Sequence, residues 1–119
     1  MTPKSRLRNK ADRLAKERAF EKYGKVCELC GSDFRATAHH FFYRSSCGHL
    51  RHEIDNLVIL CGYHHALLHF KDPKLVEGKI IKLRGQKWFN KLQKRAYDKP
   101  TSSYLTTDYY LEVIKELDQ

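Results

Sequence analysis

No stretch of this sequence is long and apolar enough to span a bilayer, which sets aside a helical integral membrane protein. The opening residues, MTPKSRLRNKADRLAKERAF, have no apolar segment of the kind a secretory signal needs. Asp12, Glu17 and Glu21 argue against an amphipathic transit peptide there. Internal repeats and low-complexity tracts are missing. Acidic residues are scarce, with 14 Asp and Glu against 23 Lys and Arg and a formal charge of +9. That excess favours a polyanionic partner, most often nucleic acid, with a membrane surface as the rival. Histidine is absent from both flanks. All seven, His39, His40, His49, His52, His64, His65 and His69, fall in one stretch, AHHFFYRSSCGHLRHEIDNLVILCGYHHALLHF.

What is there fits one ordinary domain of 119 residues with a modest core, for which a metal staple would help. The expected class is α+β, in three parts. Residues 1–25 read as a basic helical arm, a helix capped by Asn9 and closed by Gly24, with Ala11, Leu14, Ala15, Ala19 and Phe20 as a weak inward stripe. Lys10, Arg13, Lys16, Arg18 and Lys22 should face outward. Residues 26–72 form the histidine- and cysteine-rich centre. There ATAHHFFY and DNLVIL read as strands and GYHHALLHF as a helix, which Asp72–Pro73 should end. Residues 73–119 are a basic extension. In it QKWFNKLQKRAY is an amphipathic helix burying Trp88, Leu92 and Phe89. TTDYYLEVIKELDQ is a final helix starting at Thr107 or Asp108, with Tyr110, Val113, Ile114 and Leu117 on its buried side.

Four cysteines would allow two disulfides, but no export signal accompanies them. Cys27-x2-Cys30 and Cys61-x2-His64 have the spacing of two zinc knuckles, each placing two ligands at the mouth of a tight turn. Cys3His is a common closed set for structural zinc. A lone Cys-x2-Cys would read as two buried thiols; two knuckles, the second opening a helix, are more specific. Gly31 and Gly62 stand where such turns need conformational freedom. No βαβ pattern surrounds Cys27 and Cys30, which weakens a redox reading. Cys47 is left over as an ordinary half-buried thiol. His49 and His52 are rival ligands without knuckle spacing.

Four histidines remain. His65 and His69 are four residues apart on the expected helix, so both imidazoles point from one face. His39 and His40 are neighbours on an expected strand and should face opposite ways. One can join the helix pair while the other does something else. Taken singly, each has a plainer reading: a satisfied core or surface histidine, an Asn56 that shapes a turn, an Arg44 or Arg51 in a solvated loop.

Taken together, His39–His40, Asn56 and His65, on two strands and a helix, resemble the HNH, or ββα-metal (His-Me finger), endonuclease family. The resemblance covers about Cys27 to His69. The His-His pair, the Asn and the two His four apart are similar to the nuclease domains of colicin toxins. The knuckles are similar to the phage and homing-endonuclease branch. Two features depart from common members: His39–His40 stands where many have Asp-His, and Cys61-x2-His64 where many have Cys-x2-Cys. The resemblance implies a small treble-clef-like ββα-metal core with structural zinc at Cys27, Cys30, Cys61 and His64, flanked by helices. It implies a catalytic divalent ion on His39, His65 and His69, with His40 as general base and Asn56 holding it in line. Arg44 and Arg51 would contact substrate phosphate. Three imidazoles favour nickel, zinc, cobalt or manganese, while phosphate oxygens and waters keep Mg2+ and Mn2+ in play.

The implied activity is hydrolysis of DNA phosphodiester bonds to 5′-phosphate and 3′-hydroxyl ends. No reader of base edges is visible, so weak sequence specificity is expected. An intracellular setting, in a bacterium or a phage-infected cell, is expected, with no membrane partner; a targeting protein and a homodimer stay open. The alternatives are a non-catalytic zinc-stabilised module that binds DNA or RNA, and an accessory protein in recombination or packaging.

Overall fold

The computed structural model describes residues 2–43, 47–100 and 104–119. Arg44, one of the two expected phosphate contacts, lies outside the described residues. The architecture is mixed, with helices around a small two-stranded sheet. Strands β1 (Thr37–His40) and β2 (Leu57–Leu60) pair antiparallel, with His39 opposite Val58 and His40 opposite Leu57. β2 runs directly into helix α2 (Gly62–Ala66), which continues as a wider π-helical turn, Leu67–Lys71.

LVIL is wholly apolar because β2 is covered on both faces. Leu57 and Ile59 point to one side, where they pack with Ala11, Leu14, Ala15 and Ala19 of helix α1 (Pro3–Tyr23). Ile114 and Leu117 of helix α5 (Thr107–Leu117) join them. Val58 and Leu60 point to the other side, against Cys27, Leu68, and Val76 and Ile80 of helix α3 (Pro73–Arg84). Helix α4 (Gln86–Tyr97) sets Leu92 and Ala96 on Cys47 and Leu50, closing a third cluster beneath the loop between the strands.

Several expectations shift. α1 begins at Pro3, not after Asn9, because Thr2 accepts the Ser5 N–H and proline suits the first turn. Gly24 closes it as expected, at φ +86°. The inward stripe of the 1–25 segment is as expected, with Ala11, Leu14, Ala15 and Ala19 buried against the sheet. Arg18 does not face solvent freely: its Nε donates to the Leu117 carbonyl at 2.6 Å, tying α1 to the end of α5. Pro73 starts a helix instead of merely ending one, with Asp72 accepting the Leu75 N–H at 3.2 Å. α5 is capped by Thr106, one residue before the expected start. On α5 Tyr110, Ile114 and Leu117 are buried and Val113 is half-buried; on α4 Leu92 is buried, while Trp88 and Phe89 are half-buried. Cys47 is buried, not half-buried. No helix among the described residues is long and apolar enough to cross a membrane.

Candidate functional site

Two turns and the start of α2 bring Cys27, Cys30, Cys61 and His64 together. The first turn closes with Gly31 N–H donating to the Cys27 carbonyl at 2.8 Å, and Gly31 takes φ +78°. Gly62 needs no positive φ; its lack of a side chain matters because Arg35 lies over it, with Cβ and Cδ 3.4 Å from where a Cβ would stand. Cys61 caps α2, its Sγ 3.5 Å from the His64 N–H. Cys30 Sγ lies 3.7 Å from Cys61 Sγ, and His64 Nδ1 lies 3.4 and 3.5 Å from Cys61 and Cys27 Sγ. A tetrahedron around zinc has edges of about 3.8 Å between sulfurs and about 3.5 Å between sulfur and nitrogen. These separations therefore suit ligands of one ion better than hydrogen-bonded thiols. Burial alone would raise the Cys61 thiol, but the His64 N–H and its ring and the other thiols bring it down to about 6, toward the thiolate that binds metal. The Cys3His group suits a structural metal such as zinc.

The second cluster grows from the period of the strand. His39 shares its face of the sheet with Val58, the face covered by α2 and α3. There it meets the helix pair: its ring stacks on His65 at 3.9 Å between centroids, and His65 stands edge-on to His69 at 4.5 Å. One ligand nitrogen from each of His39, His65 and His69 can be chosen so that all lie within 4.8 Å of one another. Three polar rings are thus held together with no carboxylate in the group. His39 Nε2 is buried and has no hydrogen-bond partner among the described residues, a costly state that a coordinated cation would relieve. Burial, followed by the neighbouring His65 and His69, pushes His39 down to about 4. Burial and His69 lower His65 as well. His39 is neutral at pH 7, as coordination requires. The π turn lets Asp72 N–H reach the Leu67 carbonyl at 2.8 Å and carries His69 at its solvent side. Such insertions recur at functional sites.

His40 lies on the other face of the strand, opposite Leu57, and its environment differs. Its Nε2 is 2.9 Å from the Arg51 carbonyl. A carbonyl only accepts, so Nε2 carries a proton, and in the neutral ring the lone pair is then on Nδ1. Asn56 is completely buried. Its Oδ1 accepts the Phe42 N–H at 2.8 Å, and its Nδ2 donates to the carbonyls of Phe42 (3.0 Å) and Leu50 (3.2 Å). The Asn56 carbonyl accepts the Phe41 N–H at 2.8 Å. One residue thus ties the chain just past His40 to the loop and to the start of β2.

Arg51 has its guanidinium forked on Asp12 of α1, at 2.8 and 2.7 Å. Its clearest service is to hold the loop whose carbonyl meets His40. His52 Nε2 lies 2.7 Å from the same carboxylate, and His49 Nε2 lies 2.7 Å from the Arg95 carbonyl; among the described residues neither joins a metal cluster. An open cleft of about 610 Å3 runs between α1 and the sheet, lined by Asp12, Lys16, His39, His40, Tyr43, Arg51 and His69 among others. Both histidines of the strand pair reach it.

Sequence reasoning missed Asp12, Lys16 and Tyr43 as cleft residues, because long-range packing of α1 brings the first two there. It also missed the buried pair of Glu28 and Arg84 beside the knuckle. Arg84 donates to both Glu28 oxygens at 2.9 and 2.7 Å and to the carbonyls of Asp55 and Leu57. A scan against family models, and searches of curated proteins and of solved structures, find no match to this chain.

Proposed function

We propose that this chain is a metal-dependent endonuclease of the HNH type, built on a treble-clef-like ββα-metal core, which hydrolyses phosphodiester bonds in DNA. The observation that carries the reading is the division of one strand pair. His39 joins His65 and His69 in a carboxylate-free cluster, while His40 opens to the same cleft with its Nε2 proton spent on a backbone carbonyl.

In this reading His39, His65 and His69 would hold a divalent ion, which would supply neutralisation of the negative charge that develops during phosphodiester hydrolysis. His40 Nδ1 takes the proton from the attacking water. Imidazole suits that task because its ordinary pKa lies close to neutral pH. The Arg51 carbonyl fixes the tautomer and keeps the lone pair on Nδ1. Asn56 holds the chain after His40, so the ring does not swing out of line. Cys27, Cys30, Cys61 and His64 hold zinc as a structural staple at the junction of β2 and α2. Basic residues bind the strand through phosphates, with weak sequence preference.

The test is nicking of supercoiled plasmid with Mg2+, Mn2+, Ni2+ or EDTA, beside His40→Ala. Metal-dependent nicking that falls by about 10²-fold or more in the variant is the expected result. Undiminished nicking by His40→Ala would remove His40 as the base. Salt-sensitive DNA binding without nicking under any metal would favour a non-catalytic zinc module, for which the Cys3His group and the +9 charge would suffice.

A further inference from the structure

The cleft has an electrostatic imbalance. Its metal-ligand candidates are three imidazoles and no carboxylate. Its acid, Asp12, is occupied by Arg51 and His52. Glu77 lines a small crevice that His39 also borders, but it is not one of the clustered ligands. Lys16 lines the cleft from α1, and among the described residues no ion pair or hydrogen bond engages its ammonium. A divalent ion on the three histidines would therefore sit in a cleft with an unneutralised lysine. Like charges repel even where solvent screens the exposed Lys16, so an anion lying between the two favours both.

We propose that Lys16 is the phosphate-positioning residue of this cleft, and that it makes ion binding and phosphate binding mutually dependent. The inference rests on the nuclease reading and names a contact that Arg51, committed to Asp12, is poorly free to make. Coupling of this kind is reciprocal: phosphate tightens the ion, and the ion tightens phosphate. Without an anion, Lys16 weakens the ion. Removing it therefore has effects of opposite sign, which a merely structural role would not produce.

The experiment adds Co2+ to zinc-loaded protein and follows visible absorption, with and without inorganic phosphate. Thiolate-to-cobalt charge transfer would mark any exchange at the cysteines. Wild type, Lys16→Ala, Lys16→Arg and a distant control, Lys115→Ala, are compared. Phosphate is expected to tighten Co2+ by roughly fivefold or more in wild type, within the usual range of coupling. Lys16→Ala should bind Co2+ more tightly than wild type without phosphate, and should lose most of the coupling. Lys16→Arg should keep it. Anisotropy with a short DNA duplex, without the second metal, should show weaker binding by Lys16→Ala and a salt slope smaller by about 1. Equal coupling in wild type and Lys16→Ala would overturn the inference and leave the nuclease reading standing. Failure of Co2+ to bind the histidines at all would overturn both.

Discussion

Asp12 is half-buried, and burial would raise its carboxyl. Hydrogen bonds from His52 and Arg51, with the Arg51 charge, outweigh that and hold it well below the usual carboxylate range. The linkage has a definite sign. A carboxylate depressed on folding contributes stability above its unfolded value of about 3.8, and loses it as pH falls below that value toward the folded one. The stability gap between wild type and Asp12→Asn, from denaturant unfolding at a series of pH values, should shrink as pH falls below 4. A gap that did not shrink there would show that ionisation of Asp12 contributes nothing to the fold. Asn56 gives a second expectation at this scale. Asn56→Ala would leave the part-buried Phe42 N–H and the carbonyls of Phe42 and Leu50 with lost partners, costing roughly 2–5 kcal/mol. Chemical denaturation measures that loss, and an effect under about 1 kcal/mol would mean that water replaces the amide.

Among the elements, the joint between the first knuckle, β2 and α3 depends on one buried ion pair. The Glu28 and Arg84 side chains are 9% and 6% exposed, and Glu28 Oε2 also accepts the Ile59 N–H at 2.7 Å. The Arg84 guanidinium lies 3.8 Å from the Tyr23 ring centroid, so α1 is drawn into the same joint. Arg84→Met should destabilise by about 3–5 kcal/mol, because Glu28 would be left charged and buried. The double variant Glu28→Gln/Arg84→Met should recover a good part of that. If the double variant is as damaged as the sum of the singles, the pair is not coupled and the arginine acts through its carbonyl contacts alone. Much at this scale was legible beforehand. The strand at LVIL follows from its short apolar, β-branched run, and the helix over 86–97 and the i, i+4 pair of His65 and His69 follow from local period. α3 was not, because Pro73 reads as a breaker until Asp72 is seen capping the helix that it starts. The π turn was also hidden: α and π backbones carry the same residues, and the choice is made by what the turn packs against.

For the whole molecule, the Cys3His group is the link between layers. It joins a loop before β1 to the end of β2, and Cys27 and Cys61 are part of the apolar cluster beneath α3. Structural zinc in small domains contributes roughly 10–16 kcal/mol, comparable with a typical total stability of about 5–15 kcal/mol. Chelation, or Cys27→Ser, should therefore abolish cooperative thermal unfolding, with circular dichroism as the measurement. An unchanged melting temperature after verified metal loss would reduce the cluster to an ornament of the turn. The +9 charge acts at the same scale, because a net positive charge attracts anions without selecting a sequence.

Local chemistry determined a good deal by itself. Knuckle spacing marked Cys27, Cys30, Cys61 and His64, since two ligands three residues apart at a tight turn can reach one ion wherever the turn sits. Strand and helix periods separated His39 from His40 and joined His65 to His69, because those periods are properties of the backbone. The fate of the arginines and of Lys16 was a tertiary matter. Arg51 read as a phosphate contact or a solvated loop cation until α1 packed on the sheet and presented Asp12 to it. Lys16 read as one more solvated charge until the same packing set it on the wall of the cleft. Long side chains take their partners from whatever the fold brings near, and no local pattern records which residue that is.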